Sequence, residues 1–157
     1  MDYSQLAEDY KPHKINTLLV GEAPPQSGKS YFYSPTKSGK VNEISLPSTV
    51  FKHYFGKLPQ NRKEYLSFLD SLFDMGIWVI DITDKPVKVW KEKYVLDMDV
   101  IQEIINSLPV LKNRIKDLEV DEKDVIFLAA RRNYKKDIRK LFPASTVVEW
   151  SKFRNNG

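Results

Sequence analysis

Four short apolar runs, separated by stretches of helical periodicity, restrict this chain to few architectures. Residues 15–20, 77–82, 125–128 and 146–148 are mostly Ile, Leu and Val, with Trp78 and Asp81 as the exceptions in the second run. Continuous apolar runs of this length read as strands buried on both faces, the condition of strands in a parallel sheet covered by helices. The intervening sequence supplies those helices. Residues 48–55 and 61–75 carry helical patterns, the second with Tyr65, Phe68, Leu69 and Leu72 on one face and Gly76 as its stop. Val100, Ile101, Ile104, Ile105, Leu108 and Leu111 recur at the same spacing, with Pro109 as a kink or a new first turn. Residues 2–9 suggest a short leading helix ended by Pro12. Strand and helix in alternation imply βαβ units. The expected fold is α/β, a three-layer α/β/α sandwich around a short, mainly parallel four-stranded sheet, and the 157 residues are expected to form one domain.

Composition removes several classes of function. There is no cysteine, which excludes disulfides and cysteine-ligated zinc or iron–sulfur centres. The first ten residues are acidic and polar, unlike a signal peptide, and no apolar run reaches the length of a membrane span. A cytoplasmic protein without membrane contact is expected. Gly28-Lys29-Ser30 ends like a phosphate-binding P-loop, but Gly21 stands too far ahead of it, and Pro24 and Pro25 lack the amides such a loop aims at phosphates. Asp97 and Asp99 precede a helix, where acids cap the first turn, so no metal site is assigned to them. No cofactor is expected.

The net charge of +4 is mild, but its distribution is uneven. Arg131, Arg132, Lys135, Lys136, Arg139 and Lys140 are opposed only by Asp137. On a helix, Arg132, Lys135, Lys136 and Arg139 share a face, and Tyr134, Ile138 and Leu141 form the apolar stripe. Such a face is either solvated or a phosphate-contacting surface.

The densest local signal follows the first strand. Gly21-Glu22-Ala23-Pro24-Pro25 delivers a carboxylate to the mouth of a long polar loop, which carries Tyr31, Phe32 and Tyr33. Ligands of open α/β sheets sit beyond the carboxyl ends of the strands. This pentapeptide resembles the first motif of the uracil-DNA glycosylase superfamily, whose thermophile-type branch carries GEAPG at this place. Tyr31-Phe32-Tyr33 matches the aromatics of the following loop. Asp81 stands where the family has a polar residue at the end of the next core strand, and Lys85 and Pro86 follow it. Glu149-Trp150-Ser151, with Lys152 and Phe153, stands where the family closes with HPS-like residues.

The resemblance implies an enzyme that flips a base from the stack and cleaves its N-glycosidic bond. It assigns Glu22 the task of stabilising the cationic sugar and orienting water, and gives base stacking to the 31–33 cluster. Asp81 becomes the reader of the base edge, Glu149 and Ser151 the leaving-group segment, and Phe153 the wedge. DNA is the implied partner of a monomeric protein, with Arg132, Lys135, Lys136 and Arg139 on its backbone. Two departures redirect the expected activity away from uracil. Asp81 replaces the usual asparagine, and an ionised carboxylate accepts hydrogen bonds without donating any. Glu149 replaces the histidine, and an ionised carboxylate there opposes a developing anion. The alternative is a non-catalytic member that binds nucleic acid, a nucleobase or a nucleotide in the same pocket. A small-molecule hydrolase would need a nucleophile elbow, and no Ser occupies one.

Overall fold

The computed structural model describes residues 2–24, 31–84, 98–129 and 134–156. The elements run α1 (Tyr3–Glu8), β1 (Thr17–Gly21), α2 (Leu46–Phe55), α3 (Arg62–Asp74), β2 (Ile77–Asp81), α4 (Met98–Asp117), β3 (Val125–Ala129), α5 (Lys135–Leu141), β4 (Thr146–Glu149) and α6 (Trp150–Asn155). The strands form one sheet in the order β2-β1-β3-β4, and every neighbouring pair is parallel. Right-handed crossovers place the β1–β2 connection on one face of such a sheet and the next two connections on the other. Helix contacts follow that division, with α6 packed on α2 and α4 on α5. The result is the expected three-layer α/β/α sandwich.

Central strands carry the core. Leu18, Leu19 and Val20 of β1, and Val125, Phe127 and Leu128 of β3, are almost wholly buried, as strands covered on both faces must be. From α3, Tyr65, Phe68, Leu69 and Leu72 are buried on the face read from their spacing. Tyr134 and Ile138 are buried beside α5, also as their spacing implied.

Helix ends are set by local chemistry. Ser45 and Ser48 cap each other at the start of α2, and Asn61 accepts from the Glu64 amide at the start of α3. After α3 the chain reverses at Gly76, whose φ of 73° falls in the left-handed region. A Cβ there would lie 2.4 Å from Asn16 Nδ2. Asn16 occupies that space because its side chain donates to the Met75 carbonyl and its amide to the Gly76 carbonyl. This joins the start of β1 to the start of β2 and sets their register.

Of the two expectations for Pro109, a new first turn is excluded, because the residue lies within α4. The lost main-chain donor is outweighed by burial of Ile104, Leu108, Leu111 and Ile115, which lock both sides of the proline into the core. The segment after the last strand, matched to the family's closing motif and wedge, forms α6, which docks on α2.

Candidate functional site

The topology fixes where a ligand crevice belongs. From β1 the chain moves to β2 on one side and then returns to β3 on the other, so the order reverses between β1 and β3. Crevices of open α/β sheets form beyond the carboxyl ends of strands at such a reversal. Glu22 is the first residue past β1, and it is buried, with 7% exposure. Asp81, also 7% exposed, ends β2 opposite Gly21 in the parallel register. The pairing continues past both strand ends, where the Ile82 amide donates to the Gly21 carbonyl and the Thr83 amide to the Glu22 carbonyl. Glu149 ends β4 opposite Ala129. Three of the carboxylates singled out in the sequence therefore lie along the same edge of the sheet.

Gly21 is required for this arrangement by space. An added Cβ would fall 2.8 Å from Asp81 Oδ1 and 3.0 Å from Leu46 Cδ2. The Asp81 carboxyl thus rests on bare backbone. Burial, with the charges of Asp84 and Glu22, raises its pKa from 3.8 to about 7, against the opposing pull of Arg114. At neutral pH the neutral acid is well populated, and a neutral carboxyl both donates and accepts. This changes the reading of Asp81 as an acceptor only. In its protonated form it offers the pair of functions that asparagine offers.

Asp81 borders a small cleft between α1, the end of β2 and α4. Trp78, Tyr31, Pro24, Glu8, Asp84 and Arg114 are among its lining residues. Arg114 Nη1 stands 3.5 Å from Asp84 Oδ1. The space open to water-sized molecules is about 40 Å³, room for about three waters at roughly 10–15 Å³ each. Trp78 Nε1 donates to the Ala7 carbonyl at 2.8 Å, which holds α1 over the cleft. Sequence reading singled out neither Arg114 nor Asp84 for this site. Trp78 was visible only as the aromatic exception in an aliphatic run.

The aromatic triplet divides by role. All three rings are buried. Tyr33 stacks on Tyr10 at 5.1 Å, and its hydroxyl accepts from the Val79 amide at 2.8 Å on the outer edge of β2. Phe32 packs on Phe51 at 5.7 Å, while its carbonyl accepts from the Tyr65 hydroxyl. Tyr31 alone of the three borders the cleft, with its ring 4.7 Å from that of Tyr3. Burial, then the charge of Asp81, raises the Tyr31 pKa, so its hydroxyl stays protonated.

The carboxyl-terminal segment is committed to packing. Phe153, the residue matched to the wedge, is buried and stacks on His53 with centroids 3.8 Å apart. His53 Nδ1 donates to the Phe153 carbonyl at 2.8 Å. Ser151 is exposed on α6. Glu149 Oε1 accepts from Lys135 Nζ at 3.0 Å, and both side chains are partly buried. Lys135 begins α5, where a cation opposes the helix dipole and a nearby carboxylate offsets it. Lys135 is therefore turned to Glu149, whereas Lys136 and Arg139 are exposed. Arg132, Lys85 and Pro86 lie outside the described residues, as do residues 25–30 of the polar loop. Among the described residues no cluster of His, Asp and Glu has the makings of a metal site.

Comparison with family models, with curated proteins and with solved structures gave no match.

Proposed function

We propose that this protein is a base glycosidase acting on nucleic acid, on the pattern of the uracil-DNA glycosylase superfamily. One observation carries the reading. Glu22 and Asp81 are two buried carboxyl groups at the carboxyl ends of adjacent parallel strands, and the charge of one raises the pKa of the other. In this reading the C1′–N bond breaks with its electron pair left on the base. The Glu22 carboxylate stabilises the cationic sugar and orients a water; that water adds to C1′ and gives its proton to Glu22. Asp81 reads the edge of the extruded base.

The test is an excision screen on single-stranded and duplex oligonucleotides bearing uracil, hypoxanthine, xanthine and alkylated bases. Release of at least one base, abolished in Glu22→Gln while oligonucleotide binding persists, is the expected result. Undiminished release by Glu22→Gln overturns the role of Glu22. A second reading, a non-catalytic nucleobase or nucleic-acid binder, is favoured by the packing of Phe153 under His53 and the ion pair between Glu149 and Lys135. Binding without release of any base would select it. Neither binding nor release would remove both readings.

A further inference from the structure

The Asp81 carboxyl is more than nine-tenths buried, and it borders the cleft, where a ligand can reach it. The walls around it indicate what kind. Among the described lining residues, three carboxyl groups, Asp81, Asp84 and the exposed Glu8, face one cation, Arg114, which is paired with Asp84 at 3.5 Å and also acts on Asp81. Tyr31 and Trp78 supply aromatic walls. Carboxylates among aromatic rings favour a cation that is poorly hydrated and flat enough to stack.

We propose that the Asp81 cleft reads the edge of a positively charged, N-alkylated nucleobase. This rests on the base-binding reading above and names its substrate class. The cleft is of amino-group or methyl-group size, so it takes an edge of the ring and not the whole base. The chemistry also accounts for Glu149. When a cationic base departs, the electron pair of the C1′–N bond cancels its positive charge and it leaves neutral. No anion then needs a histidine to hold it, and a carboxylate tied to Lys135 at that edge is no obstacle. Water supplies the hydroxyl to C1′ and its proton goes to Glu22, which balances the hydrolysis.

Calorimetric titration with 1-methyladenosine, cationic at neutral pH, and with adenosine separates this proposal from the hydrolase itself. The cation should bind about tenfold more tightly, in the range of one desolvated cation–aromatic contact. Its binding near pH 7 should release a proton from Asp81, detected by repeating the titration in buffers of different ionisation enthalpy. Groups facing Asp81 are Glu8 from α1, Tyr31 and Glu22 beyond β1, Asp84 beyond β2 and Arg114 from α4. Burial and the charge of Asp81 keep the Tyr31 hydroxyl protonated, so it gives up no proton on binding. Asp81→Asn should lose both the preference and the proton release. Glu8→Gln, at an exposed position, should weaken the cation by about two- to threefold with no change in fold. Equal affinity for the two nucleosides, no binding of either, or an unchanged preference in Asp81→Asn overturns the proposal. Oligonucleotides bearing 7-methylguanine or 3-methyladenine should then be processed ahead of those bearing uracil or hypoxanthine. Faster release of the neutral bases refutes this inference and leaves the glycosidase standing. Selective binding of 1-methyladenosine with no release from any oligonucleotide upholds the cleft and refutes the hydrolase.

Discussion

At the scale of single residues, Asp81 ties stability to pH. Its carboxyl has a pKa of about 7 in the folded chain against 3.8 when solvated. Between those values the folded state holds more protons than the unfolded one, so stability falls as pH rises from about 4 to about 7 and then levels. The integrated cost of ionising a carboxyl shifted this far is at most about 4 kcal/mol. Asp81→Asn keeps the shape without the charge. Urea unfolding should therefore find the variant close to the parent below about pH 4, more stable at pH 5 and more so again at pH 8, with most of the pH dependence in this range removed. Parallel pH profiles for the two proteins would show that Asp81 ionises in the fold without strain.

At the scale of elements, the β1–β2 junction and the α2–α6 pair each make a measurable claim. Gly21→Ala drives a methyl group against Asp81 Oδ1 and Leu46 Cδ2, an overpacking that costs about 1–3 kcal/mol. Part of that cost belongs to the carboxylate. In an Asp81→Ala background the penalty should shrink, and a double-mutant cycle by chemical denaturation reads the coupling. Fully additive effects would place Asp81 away from Gly21. On the opposite side of the sheet order, Phe153 is buried between α6 and His53 of α2. Phe153→Ala should cost about 3–5 kcal/mol, visible as a lowered denaturation midpoint. A neutral effect would free this ring to act as a wedge.

At the scale of the whole molecule, one cation of the basic cluster is engaged among the described residues. Lys135 is held by Glu149, and Arg154 reaches from α6 to Ser48 Oγ and the Glu43 carbonyl. Lys136 and Arg139 are the exposed cations of α5 that sequence reading assigned to phosphates. If nucleic acid lies over this face, the Lys136→Ala, Arg139→Ala double variant should shallow the salt dependence of binding by about two counterions, with stability almost unchanged. An unchanged slope, followed by fluorescence anisotropy at several salt concentrations, would leave α5 as a solvated face. Among the described residues no helix is long and apolar enough to cross a membrane.

The sandwich and the edge on which Glu22 and Asp81 meet follow from sequence alone, because both depend on local patterns. A strand buried on both faces must be apolar along its buried length, as 18–20 and 125–128 are, and a residue directly after such a strand must emerge at its carboxyl end. What tertiary structure decided is which side chains face solvent and which groups perturb one another. Tyr31, Phe32 and Tyr33 are equivalent in sequence, but Tyr33 is claimed by the open edge of β2, Phe32 by Phe51, and Tyr31 by the cleft. Lys135 and Lys136 are neighbours of one type, separated only by the approach of Glu149 from the next strand. Arg114 and Asp84 meet across 30 residues of chain. The pKa of Asp81 is raised by burial and by carboxylates on a different strand and loop. Such energies depend on distances through space, and spacing along the chain reports those only within one helix or one strand.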